Sequence, residues 1–195
     1  MTKIFGNFQD IDSLKSTEYL QLAFSPSSLS LKQRWRNNGL SADFLADYFT
    51  IFFPKSPGEN ESYSKQDEIK STVSYIANEL LENAMKFNNE NLEYPISIRL
   101  NLDVDKLTFW LTNCINKTQA EEYQNFVEEL LNSDPQEMYF QQLEKNAESE
   151  NPHSSGLGII TMINDYGAEV AWKFENMKNS EDNLTVVTMV ELVIN

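Results

Sequence analysis

The chain has a single cysteine, Cys114, and a single histidine, His153, among its 195 residues. One thiol excludes an internal disulfide, and the two residues together are too few ligands for a Cys/His zinc site. Both read as structural or incidental. Positive charge is also scarce: 15 Lys and Arg stand against 30 Asp and Glu, for a formal net charge of −15. Such a chain repels phosphate backbones and anionic lipid, which argues against nucleic acid and membrane surfaces as partners and for a protein or a Mg2+-bound nucleotide. Long apolar runs are missing as well. Nothing approaches the roughly 18 apolar residues of a membrane span, and Met1 to Ser13 lacks the basic-then-apolar order of a secretory signal, so the expected compartment is the cytoplasm.

Apolar material is nevertheless ample. An apolar fraction of 41%, with twelve Phe, eight Tyr and three Trp, belongs to a folding chain rather than a disordered one. The length fits one large domain that needs no metal or disulfide to support its core. The expectation is a single domain over 1–195, in which 1–63 forms an N-terminal extension packed on a core of 64–195.

In the extension, Tyr19 to Phe24 reads as a strand closed by Ser25-Pro26-Ser27-Ser28. Leu29 to Asn38 is cationic and aromatic, with Lys32, Arg34, Trp35 and Arg36, and runs into Asn38-Gly39, which reads as a stop. Ser41 would cap a helix from Ala42 to Phe53, ended by Pro54, whose Phe44, Leu45, Tyr48, Phe49 and Phe52 form a broad aromatic face suited to a core or an interface. Pro54 to Tyr63 reads as an exposed loop.

The strongest helical pattern begins at Ser64, with Asp67 completing a capping box and Ile69, Val73, Ile76, Ala77, Leu80, Ala84 and Phe87 at helical spacing up to Asn88-Asn89. Ile96 to Leu102 and Leu107 to Leu111, joined by Asp103-Val104-Asp105, predict a hairpin. Lys117 to Asn132 and Gln136 to Asn146 read as charged amphipathic helices, followed by a polar break over 147–155. Gly156 to Tyr166 reads as a short helix, and Ala168 to Phe174 and Leu184 to Ile194 as strands. Helices segregated from an antiparallel or mixed, mostly antiparallel sheet of about four or five strands make an α+β layer architecture.

Two elements carry chemistry. At 100° per residue, Glu79, Asn83 and Lys86 fall within roughly 60° of one another beside the apolar stripe, so they can share one ligand. A carboxylate to accept a proton, an amide oxygen for a hard cation and an ammonium near phosphate would make a compact phosphoryl-transfer group. The same residues also suit a solvated helix flank. The second element, Ser154-Ser155-Gly156-Leu157-Gly158, opens an apolar helix with two glycines. Backbone N–H groups there can approach an anion without Cβ obstruction, although an ordinary loop-to-helix turn has the same pattern.

Taken together, these segments resemble a known family. Asn78-Glu79-Leu80-Leu81-Glu82-Asn83-Ala84-Met85-Lys86-Phe87 resembles the N-box of GHKL (Bergerat-fold) ATPases, and Ser155-Gly156-Leu157-Gly158-Ile159 resembles their second glycine box. The tail from Ile160 to Leu192 is similar to the end of anti-sigma-factor serine kinases and SiaB-type kinases of bacterial partner-switching modules, so the resemblance spans Ser64 to Ile194. It implies a histidine-kinase-like ATPase sandwich with helices on one face of the sheet, and ATP and Mg2+ as cofactors. It also implies Glu79 as catalytic base, Asn83 as Mg2+ ligand and Lys86 near the phosphates, with Ser155, Gly156, Leu157 and Gly158 as the phosphate turn. The insert 117–155 takes the place of the nucleotide lid. The implied activity is a protein serine/threonine kinase acting on a STAS-type antagonist, and the implied assembly is a homodimer. The family's Asp-x-Gly-x-Gly after the second hairpin strand is absent: Leu111-Thr112-Asn113-Cys114-Ile115-Asn116 has neither acid nor glycine, and Asn113 offers only a neutral carbonyl to an adenine amine. That departure keeps an alternative open, a non-catalytic module of the same fold that sequesters a regulatory protein. His153 lies in the approach to the glycine turn and not on an N-terminal dimerising helix, which argues against a histidine kinase.

Overall fold

The computed structural model describes residues 2–13, 18–25, 31–53, 64–89, 94–148, 156–178, 180 and 182–194, with the side chains of 12, 31–37 and 148 outside that description. The expected loop over 54–63, the turn at 26–28 and the polar break over 149–155, with His153, Ser154 and Ser155, lie outside the described residues. The chain is α+β, with five α-helices and one six-stranded sheet among the described residues. The strands are β1 (Thr2–Phe5), β2 (Glu18–Phe24), β3 (Ile96–Leu102), β4 (Lys106–Asn116), β5 (Glu169–Asn176) and β6 (Asn183–Val193), in the spatial order β1-β5-β6-β4-β3-β2. Every described pairing is antiparallel, so of the two forms expected the sheet has the antiparallel one and no parallel pair of a mixed sheet among the described residues, with six strands in place of four or five.

The two strands of the N-terminal extension take the two edges. β2 pairs with β3 along its whole length, from Glu18 opposite Leu102 to Phe24 opposite Ile96. β1, which the sequence pattern does not reveal, pairs Thr2–Phe5 with Trp172–Glu175. Four residues are too few to establish a period of two, and only the partner strand makes this segment extended.

One face of the sheet carries the helices. Ile98 and Leu100 of β3, Phe109 and Leu111 of β4, Trp172 and Phe174 of β5 and Val186 and Val190 of β6 are buried against them. The other face is covered over its middle by the segment after β1: Phe8 and Ile11 pack on Trp110, Ala171 and Met189, and Trp110 Nε1 donates to the Gln9 carbonyl at 2.9 Å.

Helix α1 (Leu31–Thr50) and helix α2 (Lys65–Phe87) lie side by side. Asn38-Gly39 does not stop α1, and Ser41 caps nothing: one helix runs through both. Asn38, Ala42, Leu45, Ala46 and Phe49 form a buried face, whereas the space where a Gly39 Cβ would stand is open. Packing along that face outweighs the roughly 1 kcal/mol of lost propensity at one outward glycine. The helix also ends at Thr50, before Pro54, with Thr50 Oγ1 donating to the Ala46 and Asp47 carbonyls. The aromatic face is divided: Leu45 and Phe49 are core, while Phe44 and Phe52 are exposed. α1 and α2 are antiparallel, held by the Lys70–Asp47 ion pair and by Ser74 Oγ donating to Asp43 at 2.9 Å.

α2 begins as its sequence predicts. Ser64 Oγ accepts from Asp67 N–H, and the Asp67 carboxylate accepts from Ser64 N–H, a reciprocal capping box. β4 continues five residues past the expected end at Leu111, because Thr112–Asn116 complete the ladder with Asn183–Val187 of β6. No proline or glycine interrupts that stretch. Helices α3 (Lys117–Asn132) and α4 (Pro135–Glu148) follow; α3 buries Ala120, Gln124, Val127 and Leu130, and α4 packs against α5 (Leu157–Tyr166).

Candidate functional site

The C-terminal half of α2 is pinned to the middle of the sheet. Asn88, its C-cap, accepts the Cys114 N–H on Oδ1 at 3.1 Å, and Asn89 N–H donates to the Cys114 carbonyl at 2.8 Å. This clasp fixes the outward flank of α2 relative to Asn113 on β4. Asn83 and Asn113 line one cavity, with Leu80, Ala84 and Phe87 of α2, Leu111 and Ile115 of β4, Tyr123 of α3, Ile159 of α5 and Thr188 of β6. The first turn of α5 stands over the same flank of α2. A Cβ built on Gly158 would lie 3.0 Å from Cδ of Glu79 and nearer still to Oε2, so the Glu79 carboxylate rests directly on the glycine.

Two motifs that are far apart in sequence therefore meet. Glu79, Asn83 and Gly158 converge, and Asn113 forms the sheet side of the cavity. Gly156 is the N-cap of α5 in the left-handed conformation, φ +59°, and a Cβ there would come within 3.3 Å of the Phe126 ring. A side chain at this position would be strained by both backbone and contact. The helix itself starts at Leu157, one residue later than expected, because Gly156 serves as its cap.

Glu79 is half-buried. Desolvation against α5 raises its pKa, with a further push from Glu82 and an opposing pull from Lys86. Lys86 shares this environment: burial lowers its pKa, while Glu79 and Glu82 raise it. Its ammonium also lies 5.2 Å from the centre of the Phe87 ring. Glu82 accepts from Asn78 Nδ2 at 2.8 Å. One turn before Glu79, Tyr75 stacks on Tyr166 at 5.1 Å, which ties α2 to α5 a second time.

Electrostatically, the α2–α5 end combines an acid held toward its protonated form, a neutral amide and a partly desolvated ammonium beside a helix N-terminus. That set can accept a proton, contribute one oxygen to a hard cation and favour an anion. Among the described residues no three His, Cys, Asp or Glu side chains converge as a metal cluster. A cation at Asn83 would therefore draw most of its oxygen ligands from water and phosphate, as Mg2+ commonly does.

The sheet end of the cavity differs. The whole cavity has a volume of about 20 Å³, room for about one water and not for a purine ring. The space is taken by aromatic side chains that the sequence does not single out. Tyr123 stacks on Phe87 at 6.4 Å and on Phe126 at 6.3 Å, and meets Trp172 and Phe174 edge-on. Its hydroxyl accepts from Trp172 Nε1 at 2.8 Å, and burial raises its pKa. Ala120, Tyr123, Gln124 and Val127 follow helical spacing, the one available signal, but that spacing does not say which cavity Tyr123 enters. Cys114 faces away, buried near Met177, with burial pushing its thiol up to about 11 and leaving it unreactive.

No protein-family model matches the chain, and no curated protein sequence does. Its fold is similar to a chain in the crystal structure of the SiaB-SiaC complex from Pseudomonas aeruginosa. The TM-score is 0.54 and the identity 13%, with 89% of each chain covered. The likeness is one of fold. No helix among the described residues is long and apolar enough to cross a membrane.

Proposed function

We propose that the chain is an ATP-dependent protein serine/threonine kinase of GHKL type in a partner-switching signalling module, acting on a regulatory protein such as a STAS-type antagonist. The observation that carries this reading is the seating of Glu79 on Gly158 beside Asn83, which joins the N-box and the glycine turn in one site. The similarity in fold to a chain of the SiaB-SiaC complex supports it, because that complex pairs two proteins of the kind such a module would contain.

In this reading Asn83 would contribute an oxygen to Mg2+, and the amides at the start of α5, with Lys86, would hold phosphate oxygens. Bound Mg·ATP would supply the transferable phosphoryl group. Glu79 would take the proton from a serine or threonine hydroxyl as that oxygen attacks; burial makes its carboxylate a stronger base than an exposed glutamate. The residues at the α2–α5 end fit a cation and phosphates. The sheet end fits a base only if α3 withdraws Tyr123.

A second reading, a non-catalytic module of the same fold that sequesters a regulatory protein, is favoured by that closed end and by the unbroken strand through Thr112–Asn116. The two readings separate on Mg·ATP binding by calorimetry, followed by transfer of label from ATP to a serine- or threonine-bearing partner. The kinase reading requires both, and binding of the partner without nucleotide binding would favour the module.

A further inference from the structure

Two glycines open α5, and only one is explained by its backbone. Gly156 occupies the left-handed region, which other residues avoid. Gly158 is the second residue of an ordinary helical turn, outside that region, where glycine is among the poorest helix formers. The reason for a glycine there lies in packing. A Cβ on Gly158 would stand 3.0 Å from Glu79 Cδ and closer to Oε2, so the absent side chain leaves a notch that the carboxylate fills. The obstructing atoms are the end of a flexible side chain and not backbone. A methyl group at 158 would push the carboxylate aside and leave the helices where they are.

We propose that Gly158 is a positioning residue: by withholding a side chain it seats the Glu79 carboxylate against the first turn of α5 and sets the direction from which Glu79 acts on its substrate. The proposal deepens the kinase reading and rests on it for the role of Glu79. It gives the two glycines separate tasks, Gly156 shaping the turn and Gly158 aiming the base. The groups that face Glu79 are known. Glu82 and Lys86 lie on its own helix, and Tyr75, one turn earlier, is stacked on Tyr166 of α5. A carboxylate leaving the notch loses burial, the largest influence on its proton affinity, and keeps the opposed influences of Glu82 and Lys86.

The test is Gly158→Ala, followed by thermal unfolding, by 13C NMR titration of the Glu79 carboxyl with Glu79→Gln for assignment, and by calorimetry with Mg·ATP. The variant is expected to melt at or above the wild-type temperature, because alanine favours the helix and the carboxylate yields. Glu79 should titrate at lower pH than in the wild type, closer to an ordinary glutamate. At saturating Mg·ATP, transfer to a hydroxyl-bearing partner should fall by about 10²-fold, and the same change made in the Glu79→Gln background should lower transfer no further, because the base it would misplace is already gone. An unchanged Glu79 titration overturns the proposal, and so does failure of the variant to fold, since the methyl group would then not be accommodated by movement of the carboxylate. Absence of Mg·ATP binding in both proteins counts against the kinase reading alone, because the titration decides the seat without nucleotide.

Discussion

The two ends of the site are in different states of readiness. Where α2 meets α5, the half-buried Glu79 carboxylate already rests on the first turn of a helix that starts at a left-handed glycine, with Asn83 and the partly desolvated Lys86 further along α2. Where α2 meets the sheet, Tyr123 lines the small cavity and is held by Trp172. On the kinase reading, the contrast means that the groups at the α2–α5 end are assembled before a ligand arrives, whereas space for a base would depend on the position of α3. A ligand that needs α3 displaced has to supply the free energy of displacing it, so its apparent affinity falls by the population of the open state.

The largest effect should come from Asn83→Ala. Asn83 lies on the cavity side of α2 and not in the core, so the variant should keep its fold and lose Mg2+-dependent nucleotide binding, as read by calorimetry. Equal Mg·ATP affinity in variant and wild type would remove Asn83 from cation binding.

Glu79→Gln should leave nucleotide binding in place and lower phosphoryl transfer by roughly 10²-fold or more, the usual scale for loss of a general base. The same variant has a distinct stability signature. Because folding raises the Glu79 pKa, its contribution is fully present below the unfolded-state pKa and is lost as pH rises through the higher folded value. At neutral pH the wild type carries the cost of a half-buried charge that glutamine avoids. The variant should therefore melt slightly above wild type at pH 7, with the difference closing in acid; a lower melting temperature at pH 7 would mean that the carboxylate makes stabilising contacts.

Tyr123 tests the closed end. Tyr123→Ala removes a packed aromatic ring and should cost about 3 kcal/mol of stability, against about 1 kcal/mol for Tyr123→Phe, which loses only the hydroxyl's bonds. If α3 has to move for a base to enter, the alanine variant should bind Mg·ATP more tightly than wild type despite its lower stability. A loss of stability with no gain in affinity would favour the sequestering module.

Asn113→Asp should have the smallest effect. If Asn113 meets an adenine amine, a carboxylate should tighten ATP by up to about 1 kcal/mol, roughly fivefold, and favour ATP over GTP. In a cavity that never opens, the same change buries an unpaired acid, and the variant melts lower with no response to nucleotide.

What was legible in the sequence follows the same division. The capping box at Ser64, the hairpin at 96–111 and the α3 boundaries are local patterns, and the structure has each of them. The pairing of Glu79 with the glycine turn was readable only because both motifs resemble one family. Three features were not readable. β1 is made extended by β5, α1 continues through Asn38-Gly39 because its buried face outweighs one glycine, and β4 extends to Asn116 because β6 pairs with it. All three depend on a partner distant in sequence. Tyr123 belongs with them, since helical spacing marks it as inward-facing without indicating that its ring would enter the space beside Asn83 and Asn113.

The central claim, that this site takes Mg·ATP, is tested most directly by thermal unfolding of the wild-type protein over a Mg·ATP titration, with Asn83→Ala as control. A ligand at about 100 times its Kd adds roughly 2.7 kcal/mol of stability. The account predicts a saturable rise of several degrees in the wild type and none in the variant. No shift at millimolar Mg·ATP, or an equal shift in both proteins, would contradict it.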